Sequence, residues 1–382
     1  MFLTPSHEDK LRQHAVFLDD GVLKKALGVD RDLQIENMLD GELPRFIAKR
    51  AAEGRTGPAP VMLWAHGGNV MRSCAIREAL NHIDTWMDNG IYPIYFFWDT
   101  GPAATMADAI KEIVNPDAAD LDKTVHAHEF FYQTPWDRGF DWLADRAKVP
   151  DLWEEMKQTA EASNRQPEGG AYKFIDALYE RAGTPKKNIS LHAVGHSAGA
   201  IFHSWFIPSL LDKDFELETL QLLAPAIRID RYKEFLGTLL AKDKSIGKTL
   251  MFTMTETAER ADRLIGLYDQ GSLLYFIRDD LDTTDPAALL GLQEGFQEAS
   301  TDIQDSLRAI YTPTTVNAKD GEQSSAATHV AFSSDGATLN SIAFNILGEK
   351  PKRPFPLSKP AKPTVIDRQA TVAEEETAQL PS

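Results

Sequence analysis

The chain has 382 residues, 43% of them hydrophobic and 25% charged, with a formal net charge of −17. That acidic balance excludes a nucleic-acid binder working through a basic face, because phosphates must be neutralised by lysine and arginine. The single cysteine, Cys74, excludes an intramolecular disulfide and a cysteine-built zinc cluster, and suits a reducing compartment.

The start, Met1-Phe2-Leu3-Thr4-Pro5, lacks a basic patch followed by an apolar run, and no apolar stretch is long enough to span a bilayer. A cytoplasmic protein without stable membrane insertion is the expectation, with the oligomeric state open. Residues 1–57 are mixed and polar. Helix-like pieces at Asp9–Phe17 and Leu43–Ala52, with no strong strand, predict a mostly helical extension.

Gly57-Pro58-Ala59-Pro60 then punctuates the chain before a strand over Val61–Ala65, which ends in His66-Gly67-Gly68. An amphipathic helix over Arg72–Asn89 closes at Asn89-Gly90. Tyr92–Trp98 is β-branched and aromatic and reads as a buried strand. Residues 101–185 break the rhythm. They carry helix-like segments and dense aromatics: Phe130, Phe131, Tyr132, Trp136, Phe140, Trp142 and Trp153. Two readings fit: an insertion forming a lid over the functional edge of the sheet, or a helical layer of the core.

Alternation resumes with strands at Asn188–Val194, Leu217–Leu223, Thr249–Thr255 and Ala309–Val316. Helices are expected at Ala198–Leu211, Tyr232–Ala241 and Leu339–Leu347, and residues 256–309 look helical. Strands and helices in alternation predict an α/β fold, a mostly parallel sheet covered on both faces, over residues 58–348. Residues 349–382, rich in Pro, Lys, Ala and Glu, predict a disordered tail.

Gly195-His196-Ser197-Ala198-Gly199 matches G-x-S-x-G. The pattern alone arises by chance in roughly one such chain in ten, so its setting decides. An apolar strand precedes it and a helix-like run follows. That strand–turn–helix arrangement is what a strained turn needs to hold a serine nucleophile at a strand tip, between residues small enough for close backbone approach. In such an arrangement the triad runs Ser, then acid, then His. Of the ten histidines only His329 lies well downstream, in a loop of small polar residues before the last helix. A neutral imidazole there can take the hydroxyl proton and return it to a leaving group.

The acid should follow the strand at Thr249–Thr255. Glu259 is the first choice, Asp262 the second and Glu256 the third; Asp230, after the preceding strand, is a fourth. The oxyanion hole should combine the Ala198 amide with an amide of Gly67 or Gly68. His66 reads as a turn-stabilising residue. His126-Ala127-His128 lacks the further ligands of a metal site, and no glycine run has nucleotide-binding spacing. No cofactor is expected.

The His-Gly-Gly turn, the aromatic strand running into Trp98-Asp99-Thr100-Gly101, and Val194-Gly195-His196-Ser197-Ala198-Gly199 together resemble the α/β-hydrolase superfamily over about residues 59–348. More narrowly, Phe252–Asp262, Ser272-Leu273-Leu274-Tyr275, Thr328-His329, Asp335 and Leu339-Asn340 resemble a group of poorly characterised bacterial hydrolases. Those proteins often have His-Gly-Gly where this chain has His329-Val330-Ala331. The resemblance implies a serine hydrolase of the carboxylesterase or lipase type, acting on a small-molecule acyl substrate through an acyl-enzyme. A peptidase or amidase on the same machinery, and a non-catalytic binding module of the same fold, remain the alternatives.

Overall fold

Runs of leucine, β-branched and aromatic residues, uninterrupted by charge, form strands here because they can be buried on both faces at once. β3 (Ala59–Ala65) and β4 (Tyr92–Phe97) are buried at every residue. The computed structural model describes residues 4–27, 30, 33–67, 72–98, 149–182, 188–241, 246–262, 271–282, 288–315 and 317–357. With β1 (Ala15–Asp19), β2 (Val22–Leu23), β5 (Ile189–His196), β6 (Leu217–Leu223), β7 (Ile246–Met254) and β8 (Arg308–Thr312), they build one eight-stranded sheet. Its order is β2-β1-β4-β3-β5-β6-β7-β8. Only the β1–β2 pair is antiparallel; every other pairing is parallel. The expected α/β class is observed, and each expected strand forms within a few residues of its predicted ends.

Successive residues of a strand point to opposite faces. On β4, Phe96 packs against Phe174, Phe202 and Phe206, from the helices Gly170–Ala182 and Gly199–Asp212. Its neighbour Tyr95 faces the other way, toward the helix Arg72–Asn89. The sheet is therefore the middle of three layers.

In three places the structure refines or corrects expectation. The N-terminal residues are helical over Pro5–His14 and again from Leu33 to Ala52, but a strand stands between them where none was expected: the first helix stops at His14, and Ala15 is already extended, at φ −131° and ψ 138°. β1 pairs with β4, and an Asp20-Gly21 turn with φ of 47° and 80° returns the chain as β2. Asp-Gly is a strong hairpin signal, because both turn residues need positive φ. Second, of the two readings of residues 101–185, the helical core layer is the one observed over 149–182. Phe174, Ile175 and Ala160 are fully buried, and Trp153 donates its indole N–H to Asp282. Residues 99–148, with the remaining aromatics and both histidines of the 126–128 pair, lie outside the described residues.

Third, residues 350–357 of the supposed tail are docked. Phe355 is 3% exposed, packed on Trp86 at 4.5 Å between ring centres and exchanging main-chain hydrogen bonds with the Asn340 side chain. Arg353 donates its main-chain N–H to Asn89 and pairs with Asp88. This segment ties the helix Arg72–Asn89 to the helix Gly336–Leu347. Residues 358–382 lie outside the described residues. Among the described residues no helix is long and apolar enough to cross a membrane.

Candidate active site

The sheet order sets where a site can form. From β3 the chain moves to β4 on one side, then returns to place β5 on the other. At such a switch point the loops after the two central strands diverge and leave a crevice at the strands' carboxyl ends. Gly67 follows β3 and Ser197 follows β5 there. A Cβ built on Gly67 would stand 3.0 Å from the Ser197 Cβ, so the two loops touch.

Ser197 has φ +53°, the left-handed region. That conformation costs a non-glycine residue about 1–3 kcal/mol and persists only where surroundings impose it. Here the Ser197 N–H donates to Leu223 O at 2.8 Å, and the Ser197 carbonyl accepts from Ala226 at 3.1 Å. The flanking glycines are required by space. A Cβ on Gly199 would lie 2.2 Å from the Ala65 carbonyl oxygen, and one on Gly195 would lie 2.9 Å from Gly199. The helix Gly199–Asp212 can approach β3 and β5 this closely only without those side chains. The Ala198 N–H, at the mouth of this helix, is taken up by no main-chain acceptor among the described residues. Gly68 lies outside them. His66 does the turn work expected of it, donating Nδ1–H to the Gly67 carbonyl at 2.7 Å.

His329 arrives from the far edge of the sheet. The loop after β8 is fixed by small hydroxyl residues: Thr312 Oγ1 donates to Ala326 O at 2.8 Å, Thr338 Oγ1 to Ser324 Oγ at 2.8 Å, and Ser341 Oγ to Gln323 O at 2.7 Å. Asp335 caps the helix Gly336–Leu347 and also accepts the Ser325 N–H. His329-Val330-Ala331 opens a 3-10 turn, His329–Ser333, whose last hydroxyl donates to Glu78 at 2.6 Å.

His329 Nε2 lies 2.9 Å from Ser197 Oγ. Both side chains are buried, at 2% and 4% exposure. Burial, reinforced by His196, holds the His329 pKa well below its ordinary value. The ring is therefore neutral at neutral pH and its Nε2 can accept the serine proton. Its Nδ1 has no hydrogen-bond partner among the described residues.

The acids sort themselves by geometry. Asp262 Oδ2 accepts the main-chain N–H of His329 at 2.7 Å. Glu259, the first choice, is fully buried and makes no hydrogen bond to His329 among the described residues; its near polar neighbour is Ser272. Burial raises its carboxyl to about 8, with Ser272 opposing, so it is largely protonated at neutral pH. Burial raises Asp262 only to about 6. Glu256 is exposed and pairs with Arg260, and Asp230 pairs with Arg228; neither contacts His329. The reading of the motif missed His196. Its Nε2–H donates to the His329 carbonyl at 3.0 Å, although the residue stands inside the motif itself.

These shifts predict a stability optimum. Burial holds His14, His82, His192, His196 and His203 each at about 4. Between about pH 4 and 6.5 the unfolded chain takes up protons that these rings refuse, so stability falls as pH drops. Glu78, at about 7, and Glu259 act in the opposite sense. Their contribution is complete below the ordinary carboxyl pKa and is lost as pH rises through 7 to 8. The histidines outnumber the raised carboxyls below pH 6.5, and above it only the carboxyls act. Denaturant midpoints should peak between about pH 6 and 7 and fall at about 4.5 and 8.5. A midpoint still climbing above pH 7 would show that Glu78 and Glu259 ionise freely in the folded chain.

Among the described residues no group of three or more His, Cys, Asp or Glu is arranged to hold a metal ion. Comparison with protein-family models, curated proteins and solved structures finds no match to this chain.

Proposed function

We propose that the chain is a serine hydrolase of the α/β-hydrolase type, cleaving an ester or related acyl bond through an acyl-enzyme. The observation that carries this reading is the 2.9 Å contact between Ser197 Oγ, strained at the tip of β5, and the buried His329 Nε2. Ser197 attacks the acyl carbon as His329 takes its proton. Negative charge on the tetrahedral oxygen is met by the Ala198 N–H and by an amide of the Gly67-Gly68 turn. His329 then protonates the leaving group, and water releases the acyl group by the reverse sequence.

The third member is assigned to Asp262. Its carboxylate already meets the main-chain amide of His329, and His329 Nδ1 has no hydrogen-bond partner among the described residues, so the proposed closure of the triad is a side-chain rotation that carries Asp262 to Nδ1. Asp262, half-buried, is also the more acidic of the two, since burial raises it less than it raises Glu259. A protonated Glu259 has no charge with which to stabilise an imidazolium.

Incubation with a fluorophosphonate probe, followed by peptide mapping, tests the reading. The expected result is one adduct, on Ser197, formed in the folded protein and absent after denaturation. A folded chain that stays unlabelled over hours would favour the non-catalytic binding module. A panel pairing esters with the matching amides then separates esterase from amidase.

A further inference from the structure

His329 is held by its backbone at both ends. Asp262 accepts its N–H at 2.7 Å, and His196 donates to its carbonyl at 3.0 Å. Among the described residues nothing holds the far side of its ring, because Nδ1 has no hydrogen-bond partner there. The direction in which the imidazole points therefore depends on the backbone that carries it. His196 is a rigid anchor for that backbone. It is the last residue of β5, in register with Leu223 of β6, and is 3% exposed. Its ring packs 5.4 Å from the His329 ring. Burial lowers its pKa to about 4, so the ring is neutral and carries one proton. A carbonyl can only accept, so in this bond that proton sits on Nε2.

We propose that His196 is a positioning residue: its Nε2–H bond to the His329 carbonyl sets the base at reacting distance from Ser197. The inference rests on the hydrolase reading above. It gives the motif's second residue a role that packing alone does not. Residues 196 and 197 are adjacent, so one strand end fixes both the nucleophile and the support of its base. A geometric error of about 1 Å between reacting groups can cost about 100-fold in rate, so a lost anchor should be visible in turnover before it is visible in binding.

Two measurements test it. In the unaltered protein, 15N chemical shifts of labelled histidine should show His196 as the Nε2–H tautomer with a slowly exchanging proton. An Nδ1–H tautomer would overturn the proposal, since Nε2 would then have nothing to donate. Kinetics with a p-nitrophenyl ester should show His196→Leu lowering kcat about 10- to 100-fold with KM within about twofold. His196→Gln, whose amide N–H reaches to a similar depth, should recover most of the loss. A folded Leu variant with unchanged kcat overturns the proposal, and so does a Gln variant as impaired as Leu. If the Leu variant does not fold, the tautomer decides. Failure of the unaltered protein to react with a fluorophosphonate brings down the hydrolase reading itself; normal reactivity in both the unaltered and the Leu protein brings down only the role of His196.

Discussion

Replacing His329 with alanine should slow acylation of Ser197 by about 10⁴-fold, a barrier increase of about 5 kcal/mol. The loss is this large because the Ser197 hydroxyl has no other base within hydrogen-bond reach: its side chain contacts His329 Nε2, and no other side-chain bond to it exists among the described residues. Ser197→Ala should lose as much, and the double variant little more than either alone, since nucleophile and base act as one unit. Circular dichroism and unfolding midpoints should remain close to those of the parent protein, because His329 makes its structural bonds through its main chain. The check is the observed rate of p-nitrophenyl ester hydrolysis together with the rate of fluorophosphonate labelling. Retention of more than a tenth of either rate by a folded His329→Ala protein would remove His329 from the chemistry.

The second large effect concerns the acids. Asp262→Asn should reduce kcat by about 10³- to 10⁴-fold, because an amide can hold neither the imidazole tautomer nor its developing charge. Glu259→Gln should change kcat by less than about tenfold, since a carboxyl that is already protonated has no charge to give up. The same substitution should flatten the fall in stability above pH 7, because the buried group that must stay protonated is gone. The two variants thus exchange roles between activity and stability. If instead Glu259→Gln abolishes turnover while Asp262→Asn is mild, the triad closes through Glu259, and the His329 ring must swing toward it during the reaction.

The parts of the site that local chemistry dictates were legible in the sequence. Gly195 and Gly199 declare themselves by their spacing around Ser197 in the motif, although the close approach that Gly199 permits is to Ala65, far away in the chain. His329 was legible by chain order, as the one histidine well downstream of the motif. The acid was not. Glu256, Glu259 and Asp262 fall within seven consecutive positions, and which carboxyl meets His329 depends on how the turn after β7 lies against a loop from β8. Periodicity has no access to that. β1 was hidden for another reason. Ala15-Val16-Phe17-Leu18 is a short apolar run that fits the end of a helix as well as a strand, and the Asp20-Gly21 turn was the signal that could have separated them. In the C-terminal stretch, average composition concealed one buried aromatic, Phe355. The helices over 149–182 show the same limit: absence of a strand pattern did not distinguish a lid from a core layer.

Ser197 and His329 meet across 132 positions of the chain. The nucleophile needs β5 and β6 in place, the turn beside it needs β3, and the base needs β8 docked at the sheet's edge. No partial assembly contains the site. Pairings between parallel strands this distant in sequence are slow to form, because the loop entropy must be spent before the contacts exist. If the proposed function holds, reactivity of Ser197 should also serve as a clock for folding: after dilution from denaturant it should appear only once the edge strand β8 has docked.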